Sequence, residues 1–126
     1  MLNHITIMGR LTSDPELRRT QSGTAVASFT VACDRDFGEK KETDFIPCTA
    51  WRQTGEFVSK HFSKGRMIVV SGRLQIRKFT DKEGKNRSVA EVVAENVYFG
   101  DSKKDSGTAH ASNFEAMEDD DAQLPF

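Results

Sequence analysis

Apolar and polar residues alternate with period two along most of the first hundred residues, the spacing of strands that turn one face to a core. Over residues 3–11, Ile5, Ile7, Gly9 and Leu11 take one side, and His4, Thr6, Met8 and Arg10 take the other. Ser13-Asp14-Pro15 reads as a turn, Glu16–Arg19 as a short continuation, and Gln21-Ser22-Gly23 as a second turn. Residues 24–34 alternate again, with Ala25, Ala27, Phe29, Val31 and Cys33 on one face. Residues 35–42 are polar and charged apart from Phe37, as expected of a long hairpin loop. Residues 45–51 form a further strand. Ile46, Cys48 and Ala50 suit a core, while Phe45, Pro47, Thr49 and Trp51 face the other way. Pro47 cannot donate to a sheet ladder, so a bulge or an open edge is expected there.

The period then changes. Thr54 is placed to cap a short helix over residues 55–62, with Phe57, Val58, His61 and Phe62 on one face. Gly65 supplies a left-handed stop. Residues 67–79 return to period two, with Ile68, Val70, Gly72, Leu74 and Ile76 on one side. Residues 81–86 make a charged hairpin tip, and residues 89–99 the last strand. Five short strands, with one helix between the third and fourth, predict an all-β chain. The architecture that fits is a small five-stranded Greek-key barrel of the oligonucleotide-binding type, the OB-fold.

Composition adds limits. The 126 residues hold one modest domain and a tail, expected at 1–100 and 101–126. No apolar run approaches the roughly 18 residues of a membrane span, and the start lacks the pattern of a signal peptide. Cys33 and Cys48 have no Cys-x-x-Cys spacing and read as reduced core residues of a cytosolic protein. The net charge of −1 hides an asymmetry: residues 1–100 hold 16 Lys and Arg against 12 Asp and Glu, and residues 101–126 hold 2 against 7. A mildly basic body and an acidic tail imply separate partners.

Catalytic patterns are missing from the sequence. His4, His61 and His110 have no metal-ligand spacing with another His, Cys or acid. No serine sits in a nucleophile elbow and no glycine loop has phosphate-cradling spacing. Asp34 and Glu91 read as solvated or paired acids. The expectation is a non-enzymatic chain with no cofactor and no metal.

Aromatic rings beside cations are the positive signal. Phe37 lies between Arg35 and Lys40-Lys41; Phe45 and Trp51 share a strand face next to Arg52; Phe79 follows Arg77-Lys78 and shares a face with Arg73 and Arg77. Single-stranded nucleic acid needs this combination, because bases stack on rings while cations track phosphates. For the 45–51 strand alone, burial on both faces, in a sandwich or an oligomer contact, fits equally well. From Asp101 onward the chain is polar and acidic, a composition of disorder. It closes with Glu118-Asp119-Asp120-Asp121, then Leu124-Pro125-Phe126, in which acids can steer onto a basic patch and Phe126 can fill a small pocket.

Several stretches together resemble bacterial single-stranded DNA-binding proteins. These are Leu2-Asn3 with Gly9-Arg10-Leu11-Thr12, Asp14-Pro15-Glu16-Leu17-Arg18, Gly72-Arg73-Leu74 with Arg77-Lys78-Phe79, and the acidic tip with Leu124-Pro125-Phe126. The resemblance implies an OB-fold, a homotetramer with DNA wrapped outside it, and a tail that recruits replication, recombination and repair proteins. It places the stacking positions on Phe37, Phe45, Trp51 and Phe79. Phe stands at three positions where many members carry Trp, and Gln53 stands where many carry a basic residue. Ala122-Gln123 separates the acids from the last three residues, and no glycine-rich linker precedes them.

The expected function is therefore to bind and protect single-stranded DNA without strong sequence preference. Arg10, Arg35, Arg52, Arg73, Arg77, Lys78, Lys85 and Arg87 are candidate phosphate contacts. Asp119, Asp120, Asp121, Leu124, Pro125 and Phe126 are the candidate partner-docking residues. The 35–42 and 80–87 hairpins are expected to reach along the strand and order on binding. His4, Thr6 and Met8 offer an outer strand face on which two copies could pair. A cytoplasmic, nucleoid-associated protein is implied. Two alternatives are an RNA-binding OB module of the cold-shock kind and an OB-fold hydrolase.

Overall fold

The computed structural model describes residues 1–101. The expectations for the tail and its tip lie outside the described residues. The elements are β1 (Ile5–Leu11), β2 (Glu16–Arg19), β3 (Ala25–Asp34), β4 (Thr43–Trp51), α1 (Arg52–His61), β5 (Met67–Thr80) and β6 (Asn86–Phe99).

Five strands close into a ring. β1 pairs β5, β5 pairs β6, β6 pairs β4, β4 pairs β3, and β3 returns to β1 through Arg10–Ala32 and Leu11–Val31. All pairings are antiparallel except β4–β6, which is parallel over Cys48–Ala50. This is the expected OB barrel. The short Glu16–Arg19 continuation is a sixth strand that lies on β3 outside the ring.

Alternation fills the barrel. Ile68, Val31, Val70 and Val92 are fully buried, with Leu11, Phe29, Cys48, Ala50 and Ala94 around them. Burial pushes the Cys48 thiol up to about 12, so it stays protonated at neutral pH. α1 covers one end of the barrel, sending Val58 into the core, and Phe62, just past its end, follows. Gly55 lies so close to β4 and β3 that a Cβ there would overlap the Ala50 carbonyl oxygen. Phe57 and His61 stay at the rim, where Phe99 stacks on Phe62 at 4.7 Å and Arg66 lies 5.4 Å over Phe99.

Two motif residues act as fasteners. The Asn3 side chain donates to the Leu74 carbonyl at 2.8 Å and accepts from its amide at 3.0 Å, extending the β1–β5 ladder beyond Ile5. Asp14 accepts the Lys64 amide at 2.8 Å, tying the β1–β2 turn to the turn before β5.

The helix differs from its expected start. It begins at Arg52, not Gly55, and Trp51 occupies the cap position with no side-chain cap bond, so Thr54 caps nothing. Arg52 enters with φ 57°, a left-handed conformation that a side chain disfavours. The barrel dictates this: β4 ends on its outer face at Trp51, and the chain must reverse at once to bring Gly55 onto β4. Replacing Arg52 with Gly is expected to raise stability by about 0.5–1 kcal/mol, read as a higher urea midpoint. An unchanged or lower midpoint would show that this conformation carries no strain. Gly65 is left-handed as expected (φ 88°), but it serves the turn into β5, four residues beyond the helix end at His61.

β5 and β6 outgrow the barrel. Each has 14 residues, about 45 Å of strand. Their ladder continues from Gly72–Ala94 out to Thr80–Asn86, whereas β1 stops pairing with β5 at Gly72. The outer half is a two-stranded arm. Leu74 and Ile76 keep the predicted alternation, yet they are exposed: Leu74 sits at the edge of the barrel opposite the buried Val92, Ile76 lies beyond it, and β1 pairs with β5 only as far as Gly72.

Candidate nucleic-acid interface

The outer face of β3 and β4 is the floor of the site. Phe45, Pro47, Thr49 and Trp51 stand opposite Ala32, Thr30, Ser28 and Val26. Those partners are small or β-branched, so the rings rise above their neighbours. Pro47 sits in unbroken register with Thr30, and β6 joins β4 only from Cys48 onward. The missing N–H is therefore accommodated at an open edge, one of the two outcomes that Pro47 predicts.

Trp51, 43 % exposed, borders a groove of about 520 Å³. The groove is lined by Arg18, Arg19, Thr20, Val26, Ser28, Thr49, Gln75, Arg77, Glu91 and Val93 as well as Trp51. It runs from β2 across the barrel to the arm. Arg77 links it to Phe79: the guanidinium lies 5.6 Å over the ring and donates from Nε to Glu91 at 3.0 Å. Phe79 borders a second cleft on the arm with Lys78, Thr80, Asn86, Arg87 and Ser88. Trp51 and Arg77 thus share one groove, and Phe79 and Arg87 stand opposite each other across β5 and β6 beside Arg77, with Lys78 in the neighbouring cleft on the alternate position of β5. Phe45 is 65 % exposed farther along β4, and Phe37 is 82 % exposed on the loop beyond it.

The cations are less uniform than their spacing suggests. Arg35 is gripped by Asp44 through two bonds of 3.0 and 2.8 Å and by Glu42 at 2.7 Å. The Arg35 bond holds the Asp44 carboxyl below the usual carboxylate range. Arg87 donates to Asp81 at 2.8 Å, and the same Asp81 accepts the Glu83 and Lys85 amides at 2.9 Å. Arg87, with the Lys85 amide, lowers the Asp81 pKa. The 80–87 tip is therefore closed by its own hydrogen bonds. Arg10 points elsewhere: it donates to the Gly65 carbonyl at 3.0 Å and lines a separate groove with Met8, Asp34 and Met67. Arg73 donates to Gln75 at 2.9 Å. Arg52, Lys78 and Lys85 are exposed, without ion pairs among the described residues.

Sequence reasoning missed Arg18, Arg19, Thr49, Gln75 and Glu91 as groove residues. For Arg18 and Arg19 a signal existed, since all four residues of β2 are exposed and carry two adjacent cations. Among the described residues no three His, Cys, Asp or Glu side chains gather as metal ligands, and no helix is long and apolar enough to cross a membrane.

An OB barrel whose outer face carries rings and guanidinium groups agrees with comparison to known proteins. The pattern of the "Single-strand binding protein family" matches residues 2–100. This chain belongs to that family. The family is one of binding proteins, not enzymes. Among its relatives, "Single-stranded DNA-binding protein 2" of Listeria monocytogenes is 44% identical over 116 residues, covering 90% of this chain and 72% of the relative. "Single-stranded DNA-binding protein" of Clostridium tetani is 43% identical over 120 residues, covering 91% and 83%. "Single-stranded DNA-binding protein A" of Bacillus subtilis is 44% identical over 111 residues, covering 86% and 64%.

Proposed function

We propose that this chain binds single-stranded DNA without strong sequence preference. Bases stack on Trp51, Phe79, Phe45 and Phe37, and phosphates follow Arg18, Arg19, Arg35, Arg52, Arg73, Arg77, Lys78, Lys85 and Arg87. The observation that carries this reading is the open groove between β2 and the arm, with Trp51 at its border and Arg77 leading on to Phe79. Arg10 contributes least, because it faces a different groove. The working form is a homotetramer of OB domains spanning 1–100, in the cytoplasm and at the nucleoid. In the 101–126 tail, Asp119, Asp120, Asp121, Leu124, Pro125 and Phe126 dock replication, recombination and repair proteins. The acids meet a basic rim and the apolar end fills a pocket.

The single tryptophan supplies the test. Titration with oligo-dT is expected to quench Trp51 to a sharp endpoint. The logarithm of the affinity should fall with the logarithm of salt, with a slope of about −0.7 per phosphate contacted. Binding seen by anisotropy with no change at Trp51 would remove that ring from the interface. Equal affinity for matched RNA would favour a general single-strand binder.

A further inference from the structure

A carboxylate on a surface for a polyanion needs a reason. Glu91 lines the Trp51 groove, and its side chain is 12 % exposed. Both oxygens are held: Oε2 accepts from Thr49 Oγ1 at 2.7 Å and Oε1 accepts from Arg77 Nε at 3.0 Å. Arg77 offsets its charge, which lowers the repulsion of a passing phosphate. An ionised carboxylate offers about four acceptor positions and no donor. Two positions are used here, and two remain on a group fixed from both sides. Thr49, which anchors it, is two residues from Trp51 on the same face of β4.

We propose that Glu91 reads the edge of one base in the Trp51 groove, accepting from an exocyclic amino group and so favouring cytosine over a 4-keto pyrimidine there. This rests on the binding face proposed above. Single strands leave base edges open, and a carboxylate is the natural acceptor for cytosine N4. A 4-keto pyrimidine turns a carbonyl oxygen toward the same spot, acceptor against acceptor. The preference acts at one position of an otherwise indifferent strand.

The test compares oligo-dC with oligo-dU of equal length, which share ring size and backbone and differ at the base edge. Wild type and Glu91→Gln are titrated at one salt and neutral pH, following Trp51. In the variant, Arg77 can donate only to the amide oxygen, so the NH₂ group is left near Thr49 and the groove as a donor. The dC:dU affinity ratio is expected to fall about fivefold from wild type to Glu91→Gln. If Glu91 merely positions Arg77, both oligonucleotides weaken together and the ratio stays constant, which overturns the proposal. Should Glu91→Gln fold poorly, wild type decides alone: oligo-dU carrying one dC at successive positions must show a tighter register, and its absence is equally fatal. Trp51 silent to both oligonucleotides while they bind would overturn the binding face together with this inference.

Discussion

A protein with Trp51 and Phe79 both replaced by alanine is expected to bind oligo-dT at least about thirtyfold more weakly than the parent. One base stacked on one ring is typically worth about 1–3 kcal/mol, and the two rings border separate clefts, so their losses should largely add. The sum, roughly 2–6 kcal/mol, outweighs the loss of any single exposed cation. Each ring is 43 % exposed and neither belongs to the buried core, so the barrel should survive with its thermal midpoint within a few degrees of the parent. Anisotropy of a labelled oligonucleotide measures the change, because the variant has no tryptophan. Affinity within threefold of the parent would mean that neither ring touches bases.

Gly72→Ala is expected to destabilise the fold by about 3 kcal/mol, with the melting temperature falling roughly 10–20 °C. Gly72 is where β5 leaves the barrel. It pairs with Ile5 of β1 on one side and with Ala94 of β6 on the other, immediately after the register shift at Ser71. A Cβ there would overlap the Val93 carbonyl oxygen. That neighbour is backbone, with no rotamer to yield, so relief requires parting β5 from β6. Calorimetry of Gly72→Ala beside Gly84→Ala separates this close approach from ordinary loss of glycine. Gly84 also lacks a Cβ but has nothing within 4 Å, although its φ of 83° adds some strain. A Gly72→Ala protein as stable as the Gly84→Ala protein would refute the argument.

How far the chain explains itself depends on the range of each interaction. Ile46, Cys48 and Ala50 against Phe45, Thr49 and Trp51 is a local pattern, and the barrel follows it. The start of α1 is not local, because it is set by how Gly55 meets β4 and not by a capping residue. Leu74 and Ile76 have the same pattern as Ile68 and Val70; only the reach of β1 decides where burial stops. Glu91 is a lone acid between alanine and valine, and its meaning lies in Thr49, 42 residues away. The rings could be read from composition and spacing. The groove that Trp51 borders could not, because β2, β4 and the arm, far apart in the chain, meet only in the fold.

The carboxylates that hold Arg35 and Arg87 have a consequence for how binding responds to ions. A phosphate that takes over one of these guanidinium groups evicts its former partner. The displaced Asp or Glu then gathers a cation from solution. Each such exchange returns to the protein one of the counterions that the DNA gives up. A salt titration would thus count fewer contacts than a footprint of the same complex, and the shortfall would number the arginines that changed partners.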